Sequence, residues 1–167
     1  GLFLMSCSMS FAGEAVRVAL FYKKNPDKFR LTTQKNGYKL YSSDSSFIKL
    51  NPMTDMSVHR KGDTVIVKGE EFEIRSDSIL IVNDSVETGF FINTFRSKKK
   101  ARIYHGDIEF FVNGTNLRAV NVVPLEEYVA ATVEAEGGYK KNAEYYKTNF
   151  NIIISEKKDK GVFKLIM

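Results

Sequence analysis

A single cysteine, Cys7, stands among the 167 residues, so no disulfide closes within the chain and no zinc site of several cysteines can form. Histidine is nearly as scarce. His59 and His105 are the only two; they lie far apart and lack carboxylates at a ligand spacing, so each reads as a surface residue. No stretch reaches the ~18–20 apolar residues that a spanning helix requires. Internal repeats, low-complexity tracts and an evident interdomain linker are also missing, as is any nucleic-acid motif with interleaved aromatics. Metal chemistry, disulfide scaffolds and helical membrane spans are therefore set aside. Nucleic acid is not an expected partner, and no cofactor is expected.

What the chain does have is apolar content: 43% of its residues are hydrophobic, enough for one ordinary core. The formal charge is +5, and much of the excess sits in "FRSKKKAR", where Arg96, Lys98, Lys99, Lys100 and Arg102 cluster. A solvated loop between strands is the plain reading of that cluster. The sharper one is an anionic polymer held by Lys98, Lys99 and Lys100. Residues 1–14 open on "GLFLMSCSMSFAG", apolar and small with no charge before Glu14. That composition fits the back half of a secretory signal peptide, and "LMSC" resembles a lipoprotein processing box in which Cys7 is acylated. Export to the cell envelope or beyond is the expected localisation.

From residue 15 to about 123 the pattern is of short strands. "AVRVALFY", "FRLTTQ", "GYKLYS", "SFIKLN", "DTVIVK", "EFEIRS" and "ILIVN" follow one another at roughly ten-residue spacing, with turn residues between them. "ARIYHGDIEFFVNGTNLRAVNVV" reads as three further strands, and its Asn113-Gly114 is the strongest hairpin signal in the chain. Two helical patterns then follow, over about 124–136 and 141–154. A β-rich antiparallel body at about 15–123 followed by two helices predicts the α+β class.

In the first helical pattern, Pro124 suits the first position, and Glu126 and Glu127 suit the first turn. Leu125, Val129, Val133 and Glu136 recur at three- and four-residue intervals and so share a face. Gly137 and Gly138 stop the helix. Glu136 thus falls at the negative end of a helix, beside an apolar stripe. Burial and the helix dipole both disfavour its ionised form, which lifts a carboxyl from its usual pKa of ~4.3.

These residues also resemble a known family. "Tyr-x-Gly-x-Ile-Glu" at Tyr104–Glu109, then Asn-Gly, then "VNVVPLEEYVAATVEAE", then "AEYYK", is similar to the stage II sporulation protein D/LytB domain (SpoIID/LytB) family. The matching positions are Tyr104, Gly106, Glu109, Val120, Asn121, Pro124, Leu125, Glu126, Tyr128, Val133 and Glu136. The resemblance is close over about 104–147 and loose over 15–103. It implies a bacterial, sporulation-related type of protein acting on cell-wall peptidoglycan. Its partners would be glycan strands and, for some members, a cell-wall amidase.

The family's catalytic glutamate aligns with Glu136. As a lytic transglycosylase it would protonate the glycosidic oxygen between N-acetylmuramic acid (MurNAc) and N-acetylglucosamine (GlcNAc). It would then take the C6 hydroxyl proton as that oxygen attacks C1, leaving a 1,6-anhydro product. One carboxyl serves as acid and base, unlike the paired carboxylates of hydrolases. Substrate-binding positions under the same resemblance are Tyr128, Lys147 and Asn149. A non-catalytic wall-binding module or amidase modifier is the alternative.

Beyond Lys147 the pattern departs from the family's Ala-Gln-Ala-x-x-Ala-Arg-Thr-Tyr. Asn149 stands where glutamine is expected and Ile154 where arginine would be. No Arg-Thr-Tyr follows. The family's later groove residues, and the cysteine and histidine that hold zinc in some members, are missing. The expected organisation is a leader remnant at 1–14, a β-rich part at 15–103, a partial catalytic core at 104–154 and an unassigned tail at 155–167. That end reads as a truncated or divergent core, and it puts catalysis by this chain in question.

Overall fold

The computed structural model describes residues 14–35, 37–85, 88–95, 97, 101–130 and 165–166. By contacts the chain divides into two units: Gly1–Arg17 with Val123–Lys164, and Val18–Val122 with Leu165–Met167.

Thirteen strands run through the described residues: β1 (Ala15–Leu20), β2 (Lys28–Thr33), β3 (Tyr38–Ser42), β4 (Phe47–Leu50), β5 (Asp55–Lys61), β6 (Thr64–Lys68), β7 (Glu73–Ser76), β8 (Ser78–Asn83), β9 (Phe90–Thr94), β10 (Arg102–Tyr104), β11 (Asp107–Asn113), β12 (Asn116–Pro124) and β13 (Leu165–Ile166). They form two sheets. The first has the order β13-β1-β12-β11-β8-β3-β4, the second β10-β9-β2-β5-β6-β7. Among the described residues β1 pairs with β13 in parallel, through Val18↔Leu165 and Ala19↔Ile166, and the pairs β10–β9, β9–β2, β2–β5, β5–β6, β6–β7, β12–β11, β11–β8, β8–β3 and β3–β4 are antiparallel.

The α+β expectation is overturned. Strands make up 61% of the described structure, which has two sheets and one short helix. That helix, α1, spans residues 125–130. The segment read as helix from 124 starts later because β12 runs nine residues to Pro124. Its "VNVV" stretch is bonded to β11 through Asn121↔Ile108 and Val122↔Asp107. The second expected helix, 141–154, lies outside the described residues. A layer of helices is not needed to cover the sheets, because each sheet covers the other.

Alternation builds that core. In β2 the pattern buries Phe29, Leu31 and Thr33 and leaves Lys28, Arg30 and Thr32 outward. In β11 it buries Ile108 and Phe110. Aromatic pairs join the sheets: Phe29 meets Phe110 at 5.7 Å between ring centroids, and Tyr38 of the first sheet meets Phe90 of the second edge-on at 6.3 Å. Each such fully buried large side chain contributes about 1.5–3 kcal/mol. The Asn113-Gly114 signal does make a hairpin. Asn113 pairs with Asn116, and Gly114 takes φ +64° in the turn, a conformation that costs glycine nothing.

In the smaller unit, the first-turn amide of Leu125 donates to Glu14 O at 2.8 Å. The carbonyl just before β1 thus satisfies one of the amides that a helix start leaves open. Among the described residues no helix is long and apolar enough to cross a membrane.

Candidate functional site

Of the residues singled out from sequence, Glu136, Lys147, Asn149, Lys98, Lys99 and Lys100 lie outside the described residues. Tyr128 is described and sits on α1, buried with Val129 next to it in the chain. What the coordinates do show is how the residues carrying the family resemblance meet one another, and which surface the second sheet presents.

The Tyr-x-Gly segment and the later Val-Asn segment are joined directly. Gly106 adopts φ +81° in the turn between β10 and β11. Asn121, 4% exposed, donates both amide hydrogens across that turn, to His105 O at 2.8 Å and Asp107 O at 2.8 Å. Two carbonyls flanking the glycine are thereby satisfied without water. The turn can be this tight because glycine takes the left-handed conformation, and Asn121 holds it.

Asp107 extends the network. Its Oδ1 accepts the Asn83 backbone N–H at 2.8 Å. Burial pushes its pKa up to about 6; the Asn83 bond opposes the rise and the nearby Asp84 charge adds to it. Asn83 in turn organises the loop after β8. Its Nδ2 donates to Thr88 O at 3.0 Å, and its Oδ1 accepts from Thr88 Oγ1 at 2.8 Å and from Ser85 N at 2.9 Å. His105 Nδ1 reaches the same Thr88 O at 3.1 Å, so that nitrogen carries the hydrogen. The ring of bonds Asn121–turn–Asp107–Asn83–Thr88–His105 closes on itself.

Tyr38 abuts this ring. Its hydroxyl is buried and makes no hydrogen bond of good geometry, although the Thr88 hydroxyl lies close enough to act on it. Burial pushes the phenol up to about 12. A carboxyl that titrates near neutrality has the right pKa for proton transfer. Asp107, however, is engaged by the Asn83 backbone amide, so the geometry makes it a clasp.

The second sheet presents a different surface. Register aligns the residues of its other face in rows: Ile103–Phe91–Thr32–Asp55, then Asn93–Arg30–Ser57–Lys68–Glu73, then Lys28–His59–Ile66–Arg75, of which Ile66 is buried. Two cations of this face are neutralised. Arg30 donates to Asp55 through Nη2 at 2.6 Å and Nε at 3.1 Å, and Arg75 donates to Glu73 at 2.7 Å. The Arg30 hydrogen bond holds the Asp55 carboxyl below its ordinary range. Lys28 and Lys68 have no carboxylate at ion-pair distance among the described residues. Burial and then the Lys28 charge lower the His59 pKa, so this imidazole is neutral at pH 7. Its Nδ1 is buried without a partner, which corrects the picture of a plain surface histidine; His105 is exposed.

Two shallow depressions flank the turn after β9 and share Thr94, Phe95 and Ser97 as walls. One, of about 400 Å³, lies against Lys24–Lys28. The other, of about 390 Å³, runs over Arg30, Thr32, Phe91, Asn93 and Ala101. Phe95 is 53% exposed, with Lys28 Nζ 4.4 Å from its ring centroid.

The wall of the first depression is a strained turn. Phe21 and Asn25, at φ +53° and +40°, flank the 3-10 turn Tyr22–Lys24. Arg118 holds it: Nη1 donates to Asn25 Oδ1 at 2.9 Å and to Tyr22 O at 3.4 Å, while the guanidinium covers the Tyr22 ring at 4.6 Å. Such backbone conformations cost about 1–3 kcal/mol each and persist only where neighbours impose them.

Sequence reasoning missed this face because it missed β5 and β9, the two strands flanking β2. The run Phe90-Phe91-Ile92 after Gly89 was the available signal for β9. For β5, Met56 and Val58 alternate with polar residues, but two apolar positions are too few to stand out. Among the described residues, no three His, Cys, Asp or Glu side chains gather as a metal site would require. No family model matches the chain, and no curated protein or solved structure does either.

Proposed function

We propose that this chain is an exported, peptidoglycan-directed protein of the stage II sporulation protein D/LytB type, with Glu136 as the single acid and base for cleaving MurNAc–GlcNAc strands. One observation supports the reading above the others. Two separated parts of the resemblance, Gly106 and Asn121, meet through two 2.8 Å hydrogen bonds, which gives their co-occurrence a physical reason.

The reaction follows from one carboxyl used twice. Protonated, it releases the leaving oxygen; ionised, it draws the proton from the C6 hydroxyl that closes the anhydro ring. The test is denuded peptidoglycan incubated with the wild type and with Glu136→Gln, with products read by mass spectrometry. The wild type should release 1,6-anhydro-muramic fragments. The amide variant keeps the volume, cannot serve as the acid, and should release none. Substantial turnover by Glu136→Gln would falsify the assigned role.

A second reading, a wall-binding module or amidase modifier without catalysis, is favoured by the open cationic face of the second sheet. It predicts co-sedimentation with sacculi and no anhydro products from either protein.

A further inference from the structure

We propose that the outward face of the second sheet, from the Phe95 turn across Lys28 towards Lys68, is a binding surface for an anionic polysaccharide. This surface is independent of Glu136 and stands whether or not the chain cleaves glycan. Charge gives it its sign. Asp55 and Glu73 are spent on Arg30 and Arg75, so the ammonium groups of Lys28 and Lys68 set the local potential. The two lysines stand two strands and two residues apart, about 12 Å at ordinary strand spacing and rise.

The apolar component argues for sugar. Phe95 and Phe91 offer flat rings beside the amide of Asn93 and the hydroxyl of Thr32. An aromatic plate next to hydrogen-bonding groups suits a pyranose, which has an apolar face and a polar rim. Nucleic acid carries the same sign of charge, so an oligonucleotide is set beside the polysaccharide in the experiment below. Lys28 lies over one face of the Phe95 ring at 4.4 Å, which leaves the other face for a sugar.

His59 supplies a reporter. It lies directly across the strand pair from Lys28, and the groups acting on it are Lys28, Glu73, Arg75 and Lys68. A polyanion laid over Lys28 and Lys68 offsets the cations and favours imidazolium, so the His59 pKa must rise.

The experiment titrates the full chain with polygalacturonate, with neutral dextran and with a single-stranded oligothymidylate, at low and high salt. Polygalacturonate should bind, weaken as salt rises, and raise the His59 pKa in NMR titrations; dextran should not bind. Lys28→Glu combined with Phe95→Ser should weaken binding about tenfold, through one reversed charge and one lost ring. Lys49→Glu, on the first sheet, should bind as the wild type does. Thermal melts confirm that each variant is folded.

Three results overturn the proposal: oligothymidylate binding as tightly as polygalacturonate, a double variant that binds like the wild type, or saturation with no change at His59. The last readout uses the unaltered protein, so it decides even if the double variant fails to fold. None of these outcomes bears on the anhydro-product assay for Glu136.

Discussion

Replacing Asp107 by asparagine should stabilise the protein at alkaline pH and do almost nothing at acid pH. The folded protein holds the Asp107 proton to about pH 6, against an ordinary value of 3.8. A carboxyl with a raised pKa binds its proton more tightly when folded. Its contribution therefore becomes unfavourable as pH climbs from about 4 through 6, and the full penalty stands above that. Two units correspond to roughly 3 kcal/mol at ~1.36 kcal/mol per unit, and solvent reaching this half-buried group reduces that to about 1–2 kcal/mol.

In Asp107→Asn the amide oxygen can still accept the Asn83 N–H that Oδ1 accepts at 2.8 Å, and no charge is left to bury. Urea unfolding followed by circular dichroism, at pH 8 and pH 4.5, measures the difference between the two proteins. The variant should be more stable by about 1–2 kcal/mol at pH 8, or about 2–4 °C in Tm per kcal/mol for a chain of this length. The gap should shrink to about a third of that at pH 4.5 and close only well below pH 4. Other carboxylates shift the opposite way: Asp44 is lowered to about 2 by the Ser42 and Ser46 hydroxyls. Those slopes are common to both proteins and cancel in the comparison. A gap that is the same at both pH values, or a variant less stable at pH 8, refutes the buried-charge account.

Two further outcomes concern the same network. Tyr38→Phe removes a buried hydroxyl with no partner, so stability should hold or rise by up to about 1 kcal/mol; a loss beyond that in a urea melt means the hydroxyl is bonded. Asn121→Ala deletes two donors to carbonyls that stay buried, and should cost about 2–3 kcal/mol. Asn121→Asp keeps the shape but turns a carboxylate towards two carbonyl oxygens, so at pH 7 it should be at least as damaging as alanine. A mild effect of aspartate would show that shape rather than donation matters there.

Local patterns were legible where the physics was local. The Asn113-Gly114 hairpin forms because a glycine at φ +64° closes the β11–β12 pair. Most of the strands read from alternation are present for the same reason. The helix expected from about 124 starts at residue 125, one residue later, because propensity and capping look alike from either side of a boundary. Hydrogen bonding to β11 keeps the chain extended to Pro124, and that partner is invisible in the segment itself.

The clasp was half visible. Asn121 and Gly106 were singled out by resemblance, yet Asn83, Thr88 and Tyr38 enter only because β8 runs beside β11 and β3 beside β8. The cationic face was hidden more completely. Its rows are formed by residues on six strands, Lys28 beside His59 and Arg30 beside Ser57, and sequence separation conceals such neighbours.

By itself the sequence determined the alternation that buries Phe29, Leu31, Ile108 and Phe110, the turns where glycine releases the chain, and the excess of cations, because each depends on residues close in the chain. Tertiary structure alone decided that the described residues fold almost wholly as β, that Asp107 keeps its proton towards neutrality, and that Lys28 and Lys68 share one face with no carboxylate at ion-pair distance among the described residues. Those properties depend on strand pairing at long range, which sets burial and charge spacing. No local stretch encodes them.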